Sequence, residues 1–332
     1  MRRCIVLLAL YALAVSVSST AAVEEEEYLA ISPDTALQME QLLVLEGHSG
    51  YVRDVAFSPD GAILASSGDD RAIRLWAIPS GEPLAVFETH QTPPYINSLS
   101  YSPDGSLLAT PHGVFELPYG SVRTRFTGGV THVAFAPDGL TLAVGVELRP
   151  IRLLDTETWD VVREFESLLH VRRTSNDSFG YEFSPDGTLL ADGTLDEGIV
   201  RLWDTQRGTV LQTLSVSAFG GDVHDVSFSP DGRLLAAGGH ARRVVVFRVE
   251  DGGIEQELPL GEGTMSLDFS PDGQLLAISR EGRVSLWDVK QGTRLRTLQI
   301  DGCVLPIAFS PDGRFLAAGI HGGRVVVWGI PD

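Results

Sequence analysis

The stretch Phe57-Ser58-Pro59-Asp60-Gly61 recurs with small changes seven times along the 332 residues, and its spacing decides the fold. The four-residue turn begins at Ser58, Ser102, Ala136, Ser184, Ser229, Ser270 and Ser310. An aromatic residue stands before every copy: Phe57, Tyr101, Phe135, Phe183, Phe228, Phe269 and Phe309. The intervals run 44, 34, 48, 45, 41 and 40 residues. Proline presets φ for the second position of a turn, aspartate tolerates the bridge conformation after it, and glycine supplies the left-handed residue that closes a hairpin. Each copy therefore predicts two antiparallel strands, and the period predicts an array of small sheets.

Around the first turn the alternation Val52, Val55, Phe57 gives one strand, and three more follow at residues 63–67, 72–78 and 83–87. The third strand of a repeat ends in Arg-Leu-Trp at Arg74 to Trp76, in Arg-Leu-Leu-Asp at Arg152 to Asp155 and in Arg-Leu-Trp-Asp at Arg201 to Asp204. The sixth and seventh repeats end it at Trp287-Asp288 and at Trp328. On these residues the chain resembles the WD-repeat (WD40) propeller family over about residues 41–332. The resemblance implies an all-β, seven-bladed β-propeller of four-stranded antiparallel blades, a non-enzymatic role, and a protein or peptide partner. Gly47-His48 is the one full glycine-histidine signature. By resemblance, His48, Ser66, Asp70 and Trp76 form the hydrogen-bonded tetrad that fixes a blade. Two repeats depart from the pattern: the second has no tryptophan over residues 114–119, and the third carries Leu154 in its place. Residues 166–178 interrupt the array and are expected to form a loop.

Strand counting predicts how the array closes. The seventh repeat supplies three strands before Asp332, whereas residues 41–45 read as a fourth strand ahead of the first repeat. Pairing the two satisfies an otherwise open sheet edge, so the propeller is expected to span 41–332.

The amino-terminal residues differ. Arg2 and Arg3, an apolar run to Val17 and the small residues 18–22 read as a signal peptide over 1–22, followed by an acidic linker or tether over 23–40. The expectation is an exported member of bacterial type, in the periplasm, cell envelope or outside the cell, with no membrane insertion after cleavage. Loss of Cys4 with that segment leaves Cys303 alone, expected as a buried or half-buried residue without a disulfide. A net charge of −19 argues against nucleic acid and anionic membrane as partners. A monomer without a cofactor is expected.

The sequence offers little catalytic chemistry. It has no HExxH, GxSxG, Walker or CxxC motif, and no catalytic residue is assigned. His132 and His224, at first-strand starts, are the best metal-ligand candidates, but spacing alone does not bring them together and no metal site is assigned. Asp69, Asp70, Asp192, Asp196 and Glu197 fit either calcium or simple solvation. The alternative to a scaffold is a ligand- or metal-binding propeller with hydrolase-like activity at the channel mouth, drawing on Asp54, His132, His224, Asp225 and Asp268. More informative are the arginines of the connections opposite the SPDG turns. Arg71, Arg149, Arg172, Arg173, Arg242, Arg243, Arg280 and Arg283, with His112, His240 and His321 beside them, form the expected partner-binding face. The plainer reading of the same residues is a solvated loop rim.

Overall fold

Each SPDG turn is locked by its own side chains. In the first, Ser58 Oγ donates to Asp60 Oδ1 at 2.6 Å and accepts the Ile63 N–H at 2.9 Å, while Asp60 Oδ1 also accepts the Ala62 N–H at 3.0 Å. Gly61 closes the turn with φ of 73°. The serine donates to the turn aspartate in the same way at Ser102, Ser184, Ser229, Ser270 and Ser310. Ala136 lacks the hydroxyl, and there Asp138 Oδ1 still accepts the Leu140 N–H at 2.9 Å.

The computed structural model describes residues 27–89, 95–146, 149–165, 180–194, 197–217 and 221–332. It is an all-β arrangement whose described helical content is the single 3-10 turn Ala36–Gln38. Val52–Phe57, Ile63–Gly68, Ala72–Ala77 and Pro83–Glu88 pair in that order as an antiparallel sheet. Four further four-stranded sheets repeat the order, starting from Ser100–Tyr101, Val130–Phe135, Tyr181–Phe183 and Val223–Phe228. The last two repeats share one seven-stranded sheet. They are joined because Thr293–Phe309 continues without a break from the outer strand of one repeat into the first strand of the next. In the second repeat the third strand is Gly113–Glu116, shorter than the expected run.

Glu40–Glu46 pairs antiparallel with Arg324–Pro331, in a register from Glu40 opposite Gly329 to Glu46 opposite Arg324. Leu45 on this strand is buried with Val52, Val55, Phe57, Phe315, Val325 and Val327, a cluster drawn from both ends of the chain. Burying aliphatic side chains of this size contributes about 1.5–3 kcal/mol each.

The SPDG turns also touch one another in succession. A Cβ placed on Gly105 lies 3.5 Å from Pro59 Cδ, one on Gly139 lies 3.4 Å from Pro103 Cδ, and one on Gly187 lies 3.6 Å from Pro137 Cδ. The series continues through Gly232 on Pro185, Gly273 on Pro230 and Gly313 on Pro271, then returns to the start with Gly61 on Pro311.

Residues 28–40 correct the expectation of a tether. Tyr28–Leu29 pairs with Ile330 and Pro331, the Ile31 N–H donates to the Gly313 carbonyl at 2.8 Å, and Arg296 Nη1 donates to the Ala36 carbonyl at 2.9 Å. Ile31, Ala36 and Met39 are buried beside Leu316, Val326 and Trp328. The glutamates of residues 24–27 give the segment its polar start, whereas the apolar residues behind them decide where it goes. The expected signal peptide over 1–22 lies outside the described residues, as do the inserted residues 166–178. Among the described residues no helix is long and apolar enough to cross a membrane. Cys303 is half-buried inside the long strand Thr293–Phe309, and burial raises its thiol pKa, with the nearby Glu281 charge adding to the effect.

Candidate functional site: the connections opposite the SPDG turns

The connections that enter first strands meet those between second and third strands at one end of the sheets. His48, before the strand Val52–Phe57, is buried between two partners from the neighbouring hairpin. Its Nδ1 lies 2.8 Å from Asp70 Oδ1 and its Nε2 lies 2.8 Å from Ser66 Oγ, which also accepts the Trp76 Nε1–H at 2.9 Å. A carboxylate only accepts, so Nδ1 carries the proton, Nε2 accepts the serine hydroxyl, and every group in the chain is satisfied. Desolvation works to raise the Asp70 pKa, but its hydrogen bond to and charge interaction with His48, and the N–H groups of Ser49 and Ala72, hold it below the ordinary value. Both ring nitrogens of His48 are thus engaged within the fold. The other sheets show less: Trp287 Nε1–H donates to Ser285 Oγ at 3.1 Å, and Trp203 Nε1 has no hydrogen-bond partner among the described residues.

The arginines divide into three groups. Arg71, Arg149 and Arg242 are exposed. Arg71 and Arg242, just before a third strand, have φ of 63° and 52°, whereas Gly198 and Gly323 hold left-handed conformations at the same place and Gly282 does so at the corresponding point inside the continuous strand Leu275–Asp288. Left-handed backbone costs an L-residue with a Cβ about 1–2 kcal/mol, so two repeats hold a strained arginine where three hold a relaxed glycine. The second group is committed internally. Arg243 donates to the Val216 carbonyl and pairs with Glu257 at 3.1 Å, and Arg283 pairs with Glu262 at 2.8 Å. Arg280 corrects the sequence expectation outright, because it is buried at 3% exposure and its Nη1 donates to the Leu260 carbonyl at 2.6 Å. It sits inside the continuous strand Leu275–Asp288 rather than in an open loop. Desolvation first, and the Arg283 charge second, lower its pKa from the ordinary arginine value. Arg172 and Arg173 lie outside the described residues.

The acidic candidates are likewise engaged. Asp69 accepts from Arg53 at 2.6 Å, and Glu197 pairs with Arg201 at 2.7 Å. Asp192 is buried, and Asp196 lies outside the described residues. On the innermost strands, Asp54 Oδ2 accepts the Leu99 N–H at 2.6 Å, Asp225 Oδ2 the Leu267 N–H at 2.9 Å and Asp268 Oδ2 the Phe309 N–H at 2.7 Å. Glu182, which the sequence reading did not single out, does the same for the Phe228 N–H at 2.7 Å. Each carboxylate thereby ties one first strand to the first strand of the following repeat. Ser98 and Ser100 serve the Val133 and Phe135 N–H groups in the same manner. All these side chains stand one or three residues before the repeat's aromatic residue, and so share one face of the strand. That parity is the signal that identifies them.

The four acids keep some accessible surface, yet protein encloses them closely enough for desolvation to dominate their titration. It pushes Asp54 and Asp268 up to about 7 and Asp225 up to about 6, and raises Glu182 well above its ordinary value. Repulsion from the Asp225 charge adds to the shifts of Asp54, Glu182 and Asp268. Each of the four carboxylates thus has an oxygen engaged by a backbone N–H rather than turned toward another acid.

The histidines do not gather as one set. His132 packs edge-on against Tyr181 at 5.4 Å between centroids, His112 Nδ1 lies 2.6 Å from Thr89 Oγ1, and His321 lies 4.2 Å from the Tyr51 ring. His224 instead meets His240, with ring centroids 4.5 Å apart, beside Asp222.

Comparison with known proteins adds the family context. The WD domain, G-beta repeat (WD40) pattern matches residues 39–77, 81–111, 208–248 and 261–288. Telomerase protein component 1 of Mus musculus is 29% identical over 247 residues, covering 63% of this chain and 9% of its own length. Periodic tryptophan protein 2 of Arabidopsis thaliana is 24% identical over 290 residues, 86% of this chain and 23% of its own. The small ribosomal subunit protein RACK1 of Brassica napus is 26% identical over 176 residues, 49% of this chain and 42% of its own. The chain therefore spans less than half the length of each. These relatives overturn the expected localisation: a telomerase component and a ribosomal subunit protein work inside cells, so the periplasmic, cell-envelope or extracellular assignment is withdrawn. None of the three organisms supports a bacterial type.

Proposed function

We propose that this chain, which carries WD40 repeats, is a non-enzymatic scaffold that holds a protein or peptide partner on the loop face of a seven-bladed propeller. The propeller of this reading runs over residues 41–332 and acts as a monomer. The seven turns that touch in a closed succession favour seven blades, and the pairing of Glu40–Glu46 with Arg324–Pro331 favours closure through the amino-terminal strand. A stiff frame suits recognition because little conformational entropy is lost when its loops bind.

The observation that carries the reading is the pair of left-handed arginines, Arg71 and Arg242. Strain retained at an exposed charged side chain, where glycine would relieve it, marks the side chain as the useful part. With Arg149 they offer planar, permanently charged donors suited to a partner's carboxylates. The relatives' names describe parts of larger assemblies, which agrees with a scaffold. His48, Ser66, Asp70 and Trp76 serve the frame rather than the partner.

The test is capture of partners from the native cell extract by immobilised protein, comparing wild type with a variant carrying Arg71→Glu, Arg149→Glu and Arg242→Glu. Loss of specific capture at unchanged thermal stability supports the assignment. Equal capture by the variant removes it.

A further inference from the structure

We propose that Asp222, His224 and His240 form a binding site for a zinc-like divalent metal ion on this same face. One carboxylate oxygen and one ring nitrogen from each histidine lie within 4.8 Å of one another. The three residues come from different parts of one repeat. Asp222 immediately precedes the first strand Val223–Phe228, His224 lies on it, and His240 follows the second strand Leu234–Gly239.

The backbone builds the cluster. A register shift between Val223 and Asp225 gives the first strand an extra residue at His224, the device by which a bulge re-aims a side chain. The His240 N–H donates to the Asp222 carbonyl at 3.0 Å, which fixes those two residues together. The Thr264 N–H donates to the Gly239 carbonyl at 2.8 Å and brings a third segment alongside. A Cβ on Gly239 would fall only 2.0 Å from the Asp222 carbonyl oxygen, so glycine is required for this approach.

The ligand chemistry fits. His224 Nδ1 lies 2.9 Å from the Thr264 carbonyl oxygen. A carbonyl only accepts, so the proton resides on Nδ1 and the lone pair on Nε2. A ring N–H bonded to a carbonyl is the arrangement that orients metal-ligating histidines. His240 Nδ1 and Asp222 Oδ2 are 3.1 Å apart, and two ligands on a tetrahedral zinc ion are separated by about 3.4 Å. On binding, His240 moves its proton to Nε2 and offers Nδ1 to the ion. Two imidazoles and one carboxylate favour zinc over calcium or magnesium, which prefer oxygen ligands throughout. His224 is buried while His240 is 61% exposed along its side chain, so the site is anchored on one side and reachable by solvent on the other. Water completes the coordination.

The experiment uses the full chain, stripped with chelator and titrated with Zn²⁺ by calorimetry, and with Co²⁺ followed by visible absorption. Wild type should take up one ion per chain, show the intense d–d bands of tetrahedral Co²⁺, and melt at a higher temperature with zinc than without. Loss of an outer-shell partner alone weakens metal sites by about tenfold or more, so His240→Ala and Asp222→Asn should each cost at least that much. His321→Ala, on the same face, should bind as wild type does. His240 is exposed, and melting of the metal-free variant verifies that its fold is unchanged. Failure of wild type to bind zinc, or binding by His240→Ala within about twofold of wild type, overturns the proposal.

Discussion

Gly61 of the first SPDG turn rests on Pro311 of the seventh: a Cβ on that glycine lies 3.8 Å from the proline Cδ, across nearly the whole length of the chain. The same two repeats are joined through Leu45, which pairs with Val325 and is buried with Val52 and Phe57. If this junction closes the domain, its loss is felt beyond the last sheet.

Leu45→Ala should therefore lower stability by about 2–4 kcal/mol, the usual cost of emptying a buried leucine site. Urea unfolding measures the loss. Removing residues through Glu46 should cost more, and should accelerate amide exchange in the first sheet as well as along Arg324–Pro331. Faster exchange confined to Arg324–Pro331 would show that the strand merely covers an edge.

Ser66→Ala should destabilise by about 2–4 kcal/mol, because it leaves both the His48 Nε2 acceptor and the Trp76 Nε1–H donor buried without their partner. The comparison is Ser285→Ala, which strands the Trp287 donor and should cost about 1–2 kcal/mol. Equal costs in parallel denaturant titrations would deny the first repeat its four-membered network.

The inner carboxylates predict a pH dependence with a definite sign. Their folded-state pKa values are raised, so the folded chain holds protons that the unfolded chain releases. The contribution of Asp54, Asp225 and Asp268 is full below the ordinary aspartate pKa near 3.8 and is lost as pH rises through the folded values of about 6 to about 7. The turn aspartates Asp60, Asp104, Asp186 and Asp231 act oppositely: serine hydrogen bonds depress them, and their contribution is lost only on acidification below the ordinary carboxylate range. Of these two sets of carboxylates, Asp54, Asp225 and Asp268 are therefore the ones that titrate between about pH 5 and 7.5. Asp268→Asn keeps an oxygen for the Phe309 N–H but cannot ionise, so it should flatten the fall in melting temperature across that window. An unchanged pH profile would contradict the assignment.

Arg242→Gly should stabilise the chain by a few tenths to about 1 kcal/mol, the relief of left-handed strain less the flexibility that glycine adds to the unfolded state. The same change should weaken partner capture. Chemical denaturation and capture measured on one preparation separate the two effects, and a variant less stable than wild type would refute the strain argument.

The sequence made the repeat legible because a turn has a strict local chemistry. Ser58 to Gly61 carries its own hydrogen bonds and its own left-handed residue, so no distant information is needed. The outer strand over residues 41–45 was legible by counting, since one strand was absent at one end and surplus at the other. Side-chain fate was not legible. Arg243, Arg280 and Arg283 look like loop arginines, yet Val216, Leu260 and Glu262 from neighbouring connections and Glu257 from the strand Ile254–Pro259 claim them, a placement only the folded chain reveals. Asp54 and Asp268 stand at different distances from their turns, three residues and one residue before the aromatic, yet share one strand face because side chains alternate with a period of two. His224 was visible without its companions, because Asp222 and His240 join it only through a bulge and a hairpin.

In the proposed function partners dock on the face of Arg71, Arg149 and Arg242 and leave the SPDG face free. A photo-crosslinking amino acid placed at Arg242, and separately at Asp231 in an SPDG turn, tests it most directly in the native cell extract. Discrete crosslinked protein species are expected from position 242, competed away by unlabelled wild-type chain, and none from position 231. Crosslinks of equal yield from both positions, or from position 231 alone, would contradict it.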